Sequence, residues 1–304
     1  MKNVLIIGGS MFTGRVFSIQ ASRNGGFNLH VVNRGNYPLN LERVNQYKCD
    51  RHEPAIIAGM VPDIAYDALV DFCAYNPGEI ESIISALGGR IKQYIFFSTA
   101  SVCAPAEGSL DESAALIPTG TYGADAVSSY IGNKILLEDE LAKACSRAGI
   151  KFTILRPSFI YGPFNYAPRE SFFIELIAKK QPVPVPTGTS SRFSFVYVLD
   201  IAEALMKCIG DERAYNEIFN LSGTEAVTYS MLMSCLEKCN NGPFETYDVT
   251  IEQTEKENLP LPFPLTGDTL YNGEKFSQTL GFSYTPLSEG MEKTFKVFCS
   301  LYTN

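Results

Sequence analysis

The first half of the chain alternates short apolar runs with longer amphipathic ones. Residues 3–7, 29–32, 68–72, 94–97 and 152–155 are near-continuous apolar runs, the pattern of parallel strands covered on both faces. Between them, 13–24, 77–87 and 128–148 carry helical periodicity. In the last, Lys134, Leu137, Leu141, Ala144 and Ala148 recur at steps of three and four, with Tyr130 one turn earlier on the same stripe. Strands alternating with helices predict βαβ units and an α/β fold with a doubly wound parallel (Rossmann) sheet.

From about residue 157 proline and glycine become dense, in RPSFIYGPFNYAP and KKQPVPVPTGTSS. These read as loops at the carboxyl edge of the sheet, placed to cover a substrate. The strand-like RFSFVYV, the helix LDIAEALMKCIG, a Pro-rich NLPLPFPLTG and a helix near 289–301 follow. Asp200 is read as a helix-start cap. The predicted organisation is a dinucleotide-binding domain over 1–160, with returning segments near 193–221. Residues 161–304 form mainly a small α/β substrate lobe.

Composition narrows the function. A formal net charge of −8 over 304 residues disfavours nucleic acid or an anionic membrane as main partner. No stretch approaches the ~18 unbroken apolar residues of a membrane span, and the N-terminus does not read as a signal peptide. Eight scattered cysteines without a CxxC pair read as reduced thiols of a cytoplasmic protein. Cys235 and Cys239 have no nearby histidine, so no metal site is expected. With two histidines, His30 and His52, acid–base chemistry falls to Tyr, Lys, Asp or Glu.

The first strand runs directly into GGSMFTGR and then a helix. Gly8, Gly9, Ser10, Met11, Phe12 and Gly14 form the turn, whose helix N-terminus suits a pyrophosphate. Met11 stands where a glycine normally lets the backbone approach the phosphates, so either the loop shifts or the side chain turns away. The second strand ends in Asn33 and Arg34 with no acid, which favours NADP over NAD, with Arg15 as a possible second cation. Asp50 either meets the adenine or caps a helix.

These pieces together resemble the extended short-chain dehydrogenase/reductase family, which includes NAD-dependent sugar epimerases and dehydratases. The resemblance rests on GGSMFTG, YIFFSTASV, YIGNK, LRPSFIYGP, FVYVLDIAEAL and LGF…LSEGMEKT, in order over roughly residues 3 to 300. GGSMFTG and Asn33–Arg34–Gly35 are similar to the subgroup with GGTRFIG-type loops, which includes bacterial proteins of unassigned function and chloroplast RNA-associated relatives. The resemblance implies that Tyr130 and Lys134 are the YxxxK acid–base pair and that Thr99 is the catalytic hydroxyl. It also implies that Pro157 contacts cofactor and that Asn165, Tyr166 and Arg169 contact substrate. Arg192 resembles the arginine that meets a nucleotide-sugar diphosphate, one residue out of register. Tyr122 matches nothing catalytic and reads as packing or a loop contact.

A tyrosine of pKa about 10 is a poor base at neutral pH; lowering it by three units takes roughly 4 kcal/mol. The Lys134 ammonium and an oxidised nicotinamide both favour the phenolate. The Asp–Glu pair of sugar dehydratases is replaced by Ala100 and Ser101, and Cys103 follows Val102 where epimerases often carry tyrosine. The expected activity is therefore a sugar or nucleotide-sugar epimerase or carbonyl reductase. The alternative is a non-catalytic nucleotide-sensing or RNA-associated protein. Relatives often form a homodimer through the 128–148 helix.

Overall fold

The computed structural model describes residues 1–118, 120 and 125–303; Tyr122 lies outside them. The nucleotide-binding half opens with β1 (Lys2–Ile7), α1 (Phe12–Asn24), β2 (Phe27–Asn33), β3 (Val44–Lys48), α2 (Pro54–Met60), β4 (Ala68–Asp71) and α3 (Glu79–Leu87). It continues through β5 (Gln93–Phe97), α4 (Ala126–Ala148) and β6 (Lys151–Pro157). Then come β7 (Phe159–Tyr161), α5 (Glu170–Ala178), β8 (Val183–Thr187), β9 (Phe193–Tyr197), α6 (Val198–Cys208) and β10 (Glu217–Leu221). The chain ends with β11 (Ala226–Val227), α7 (Tyr229–Cys239), β12 (Thr246–Thr250), α8 (Ile251–Glu257), α9 (Glu274–Leu280) and α10 (Leu287–Tyr302).

Seven strands form one sheet in the order β10-β6-β5-β4-β1-β2-β3, and each neighbouring pair is parallel. The sequence reason is visible in β1. Val4 and Ile6 face one core, while Leu5 and Ile7 face the other. Period-two alternation buries both sets because helices cover both faces. The winding reverses between β1 and β4, which opens a crevice at their carboxyl ends.

α4 begins two residues before its predicted start. The Asp125 carboxylate accepts from the amides of Val127 and Ser128, and Gly149 ends the helix at φ +68. Its buried stripe includes Lys134, Leu137, Glu138, Leu141 and Ala144, with Cys145 rather than the predicted Ala148 at its end. Beneath it Arg156 bonds both oxygens of Glu138, and Ser98 donates to the same carboxylate at 2.5 Å.

Two readings need correction. KKQPVPVPTGTSS is not all loop, because Val183–Thr187 is β8, paired with β12. Pro184 and Pro186 alternate, so their missing N–H groups fall on one edge of this two-stranded sheet. Asp200 does not cap α6, whose N-cap is Tyr197. Instead its carboxylate accepts from the Thr285 amide at 2.7 Å and hydroxyl at 2.6 Å, tying α6 to the segment before α10.

Among the described residues no helix is long and apolar enough to cross a membrane. All eight cysteines are unpaired.

Candidate active site

A cavity of about 480 Å³ follows the crevice from β1 toward α4 and the 162–169 loop, a size suited to small-molecule ligands. Gly8, Gly9, Ser10, Met11, Phe12 and Gly14 line one stretch of it, and Asn33, Arg34 and Asp50 another. Tyr130, Lys134, Asn165, Tyr166 and Arg169 also line it. Thr99, Pro157 and Arg192 are not among the lining residues.

The glycine loop is shaped by contact. Gly9 has φ +75, and a Cβ on Gly14 would stand 2.6 Å from the Gly9 Cα. α1 can therefore approach the loop this closely only without that side chain. Met11 precedes α1, is 44% exposed at the cavity wall and makes no side-chain cap. The first-turn amides of α1 are thus left uncapped by the residue before them, the arrangement that binds a phosphate. Arg15 does not join the lining. It donates to the carbonyls of Ser10 and Pro38, each at 3.0 Å, and lies over the Phe164 ring.

At the end of β2, Asn33 is buried. Its Oδ1 accepts from the Gly35 amide and from Gln46, while its Nδ2 has no partner among the described residues. A buried orphan donor on this wall fits a ribose or phosphate oxygen. Asp50 does not cap α2. It accepts from the amide and ring of His52, which holds its carboxyl below the usual range.

Lys134 is 2% exposed. Its Nζ donates to Phe97 O at 2.8 Å and Ala74 O at 3.0 Å, and lies over the rings of Phe96, Tyr75 and Tyr130. Desolvation lowers its pKa to about 8. Tyr130 is 38% exposed, open to the cavity yet packed 6.3 Å from the Tyr75 ring. Desolvation pushes its phenol up to about 12, against a downward pull from Arg169. This differs from the sequence expectation. Within the chain alone, loss of water outweighs nearby cations, and Lys134 spends its N–H groups on two carbonyls. Thr99 Oγ1 accepts from the Ser101 amide at 3.2 Å, which leaves its O–H available to donate.

Arg192 is not brought to the cavity. Its guanidinium pairs with Asp268 at 2.5 Å, on a half-exposed surface. Asn165 is held by Glu170, as described below.

Sequence reasoning missed Arg51, Tyr75, Asn76 and Glu79, which also line the cavity. Arg51 Nη1 bonds both oxygens of the fully buried Asp71 at 3.0 Å, and its Nη2 donates to Glu79 O at 2.8 Å. The available signal was an aspartate ending the apolar run ALVD, because a buried carboxylate needs a partner.

Among curated relatives, the chloroplast stem-loop binding protein of 41 kDa b of Arabidopsis thaliana is 28% identical over 80% of this chain and 64% of its own length. The UDP-glucose 4-epimerase of Vibrio cholerae is 26% identical over 51% of this chain and 46% of its own. The chain thus spans less than two thirds of these relatives. Among solved structures, UDP-glucuronic acid 4-epimerase from Bacillus cereus matches with TM-score 0.77 and 17% identity, covering 99% of this chain and 100% of that one. UDP-glucose 4-epimerase from Thermotoga maritima matches with TM-score 0.78 and 19% identity, over 98% and 99%. At these identities the likeness is one of fold. Residues 4–222 match the NAD dependent epimerase/dehydratase family itself, and the chain belongs to that family.

Proposed function

We propose that the protein is an NAD(P)-dependent epimerase or reductase acting on a hydroxyl-bearing carbon of a nucleotide sugar. One observation carries this reading: Tyr130 and Lys134 stand one turn apart on the wall of a cavity that also holds the uncapped glycine loop.

The residues fit a nicotinamide dinucleotide. The Gly8–Gly14 turn would hold its pyrophosphate, and Asn33, Arg34 and Asp50 its adenosine end. When bound, it supplies a hydride acceptor and, in its oxidised form, a positive charge. Tyr130 Oη takes the proton from the substrate hydroxyl and returns it in the reverse direction. The Thr99 hydroxyl, free to donate though not among the lining residues, is assigned to the same oxygen. Lys134, fixed by Ala74 O and Phe97 O, holds a positive charge beneath the Tyr130 ring. NAD is the cofactor in the solved complex of the Bacillus cereus enzyme. Arg34 is the residue that would favour NADP here.

The test is incubation of the protein and NAD with UDP-glucose and UDP-glucuronic acid, followed by NMR of the product. A C4 epimer supports an epimerase; a stable keto sugar with reduced cofactor supports a reductase. Neither product with any nucleotide sugar removes the reading.

A second reading follows from the name of the Arabidopsis relative, a stem-loop binding protein. The net charge of −8 opposes it. Salt-sensitive binding of an RNA stem-loop by the purified protein would favour it.

A further inference from the structure

Arg169 carries a charge the protein does not balance. It precedes α5 and lines the cavity. Among the described residues its guanidinium has one 3.4 Å hydrogen bond to Ile160 O and the Phe159 ring 5.4 Å away. Among the described residues, no carboxylate lies within ion-pair distance of it.

The adjacent acid is engaged elsewhere. Glu170 is fully buried, and its oxygens accept from the Gly162 amide at 2.9 Å and from Asn165 Nδ2 at 3.1 and 3.2 Å. Those bonds also fix the 162–169 loop, and so the place of Arg169. Two other cations on the wall are occupied, Lys134 by two carbonyls and Arg51 by Asp71 and Glu79, while Arg34 lies beside Asn33 at the β2 stretch of the lining. A half-buried guanidinium without an anion is costly, so a ligand is its natural partner. Tyr130 and Tyr166 line the same cavity as Arg169, and its charge acts on the Tyr130 phenol.

Resting on the nucleotide-sugar reading, we propose that Arg169 binds an anionic substituent of the carboxylate class carried on the sugar ring, beside the carbon that Tyr130 serves. The diphosphate of the nucleotide shares the same anion chemistry, and the experiment separates the two.

The NAD-loaded protein is titrated calorimetrically with UDP-glucose and UDP-glucuronic acid, as wild type, Arg169→Met and Arg169→Lys. The expected result is a preference of at least about tenfold for the uronate, the scale of one charged hydrogen-bonded pair. Arg169→Met abolishes the preference, Arg169→Lys keeps part of it, and NAD affinity is unchanged in both. Equal weakening of both sugars assigns the guanidinium to the diphosphate, and a loss of NAD affinity assigns it to the cofactor; either overturns the proposal. So does a wild type that binds both sugars equally. If the wild type binds neither sugar, the nucleotide-sugar reading fails first and takes this inference with it.

Discussion

The Nζ of Lys134 lies 5.6 Å from the centre of the Tyr130 ring, one helical turn away on α4. It is anchored on the strand side by Phe97 O, the last carbonyl of β5. The ammonium is therefore positioned by the sheet, and the tyrosine is positioned over it by the helix. Lys134→Met removes the charge and leaves two carbonyls without a donor. Turnover should fall by at least about 100-fold, the scale of one lost preorganised donor. The stability effect has a defined sign. The folded pKa of about 8 lies below the usual lysine value of 10.5, so the fold disfavours the protonated form. Wild-type stability should rise by about 3 kcal/mol as pH increases from 8 to 10.5, relative to Lys134→Met. Parallel denaturant titrations of the two proteins check this.

Tyr130→Phe keeps the ring that packs on Tyr75 and removes the oxygen proposed to move the proton. Turnover should drop by about 100-fold or more, the general acid–base contribution, with nucleotide-sugar affinity within a few-fold of wild type. Single-turnover kinetics beside calorimetry separate the two. Unchanged turnover would remove Tyr130 as the base.

Burial raises the Glu170 carboxyl from 4.5 to about 7. The unfolded chain loses this proton first as pH rises. Stability from Glu170 is therefore fully present below about 4.5 and lost as pH rises through 7. The loss approaches about 3 kcal/mol for a fully buried group. Glu170→Gln keeps one carbonyl oxygen, which can accept from both the Gly162 amide and Asn165, without the titration. Its midpoint in urea should vary less between pH 5 and 7 than that of wild type.

Arg34 lines the cavity beside Asn33, while Asp50 nearby carries the opposite charge. If Arg34 receives a 2′-phosphate, Arg34→Ala should weaken NADP by about tenfold or more and NAD by less than twofold. Fluorescence titration with both reduced cofactors measures the ratio. Equal losses would place Arg34 outside cofactor selection.

Much of this was legible from local pattern. Val4–Ile7 reads as a buried strand because each side chain meets a core on one face or the other. Gly14 reads as a close approach because it follows a strand and opens a helix. The Tyr130–Lys134 spacing reads as one helix face. What was not legible depends on partners distant in sequence. Arg192 resembles a substrate arginine by its neighbours, yet Asp268 claims it. The Arg51–Asp71 pair joins the turn after β3 to the end of β4, twenty positions apart in the sequence. β8 hid behind its prolines, since its pairing with β12 is set by a strand more than fifty residues later. The raised phenol of Tyr130 was missed because spacing reports neighbours but not the water they exclude.

The most direct measurement is to purify the protein without added cofactor, denature it, and identify released nucleotides by mass spectrometry, with titration of NAD and NADP into any empty fraction. NAD or NADP is expected either to be released or to be bound by the empty protein, and Gly14→Val, which would place side-chain atoms against Gly9, should abolish this in a chain that still folds. A folded wild-type protein that neither retains nor binds either dinucleotide would contradict that expectation.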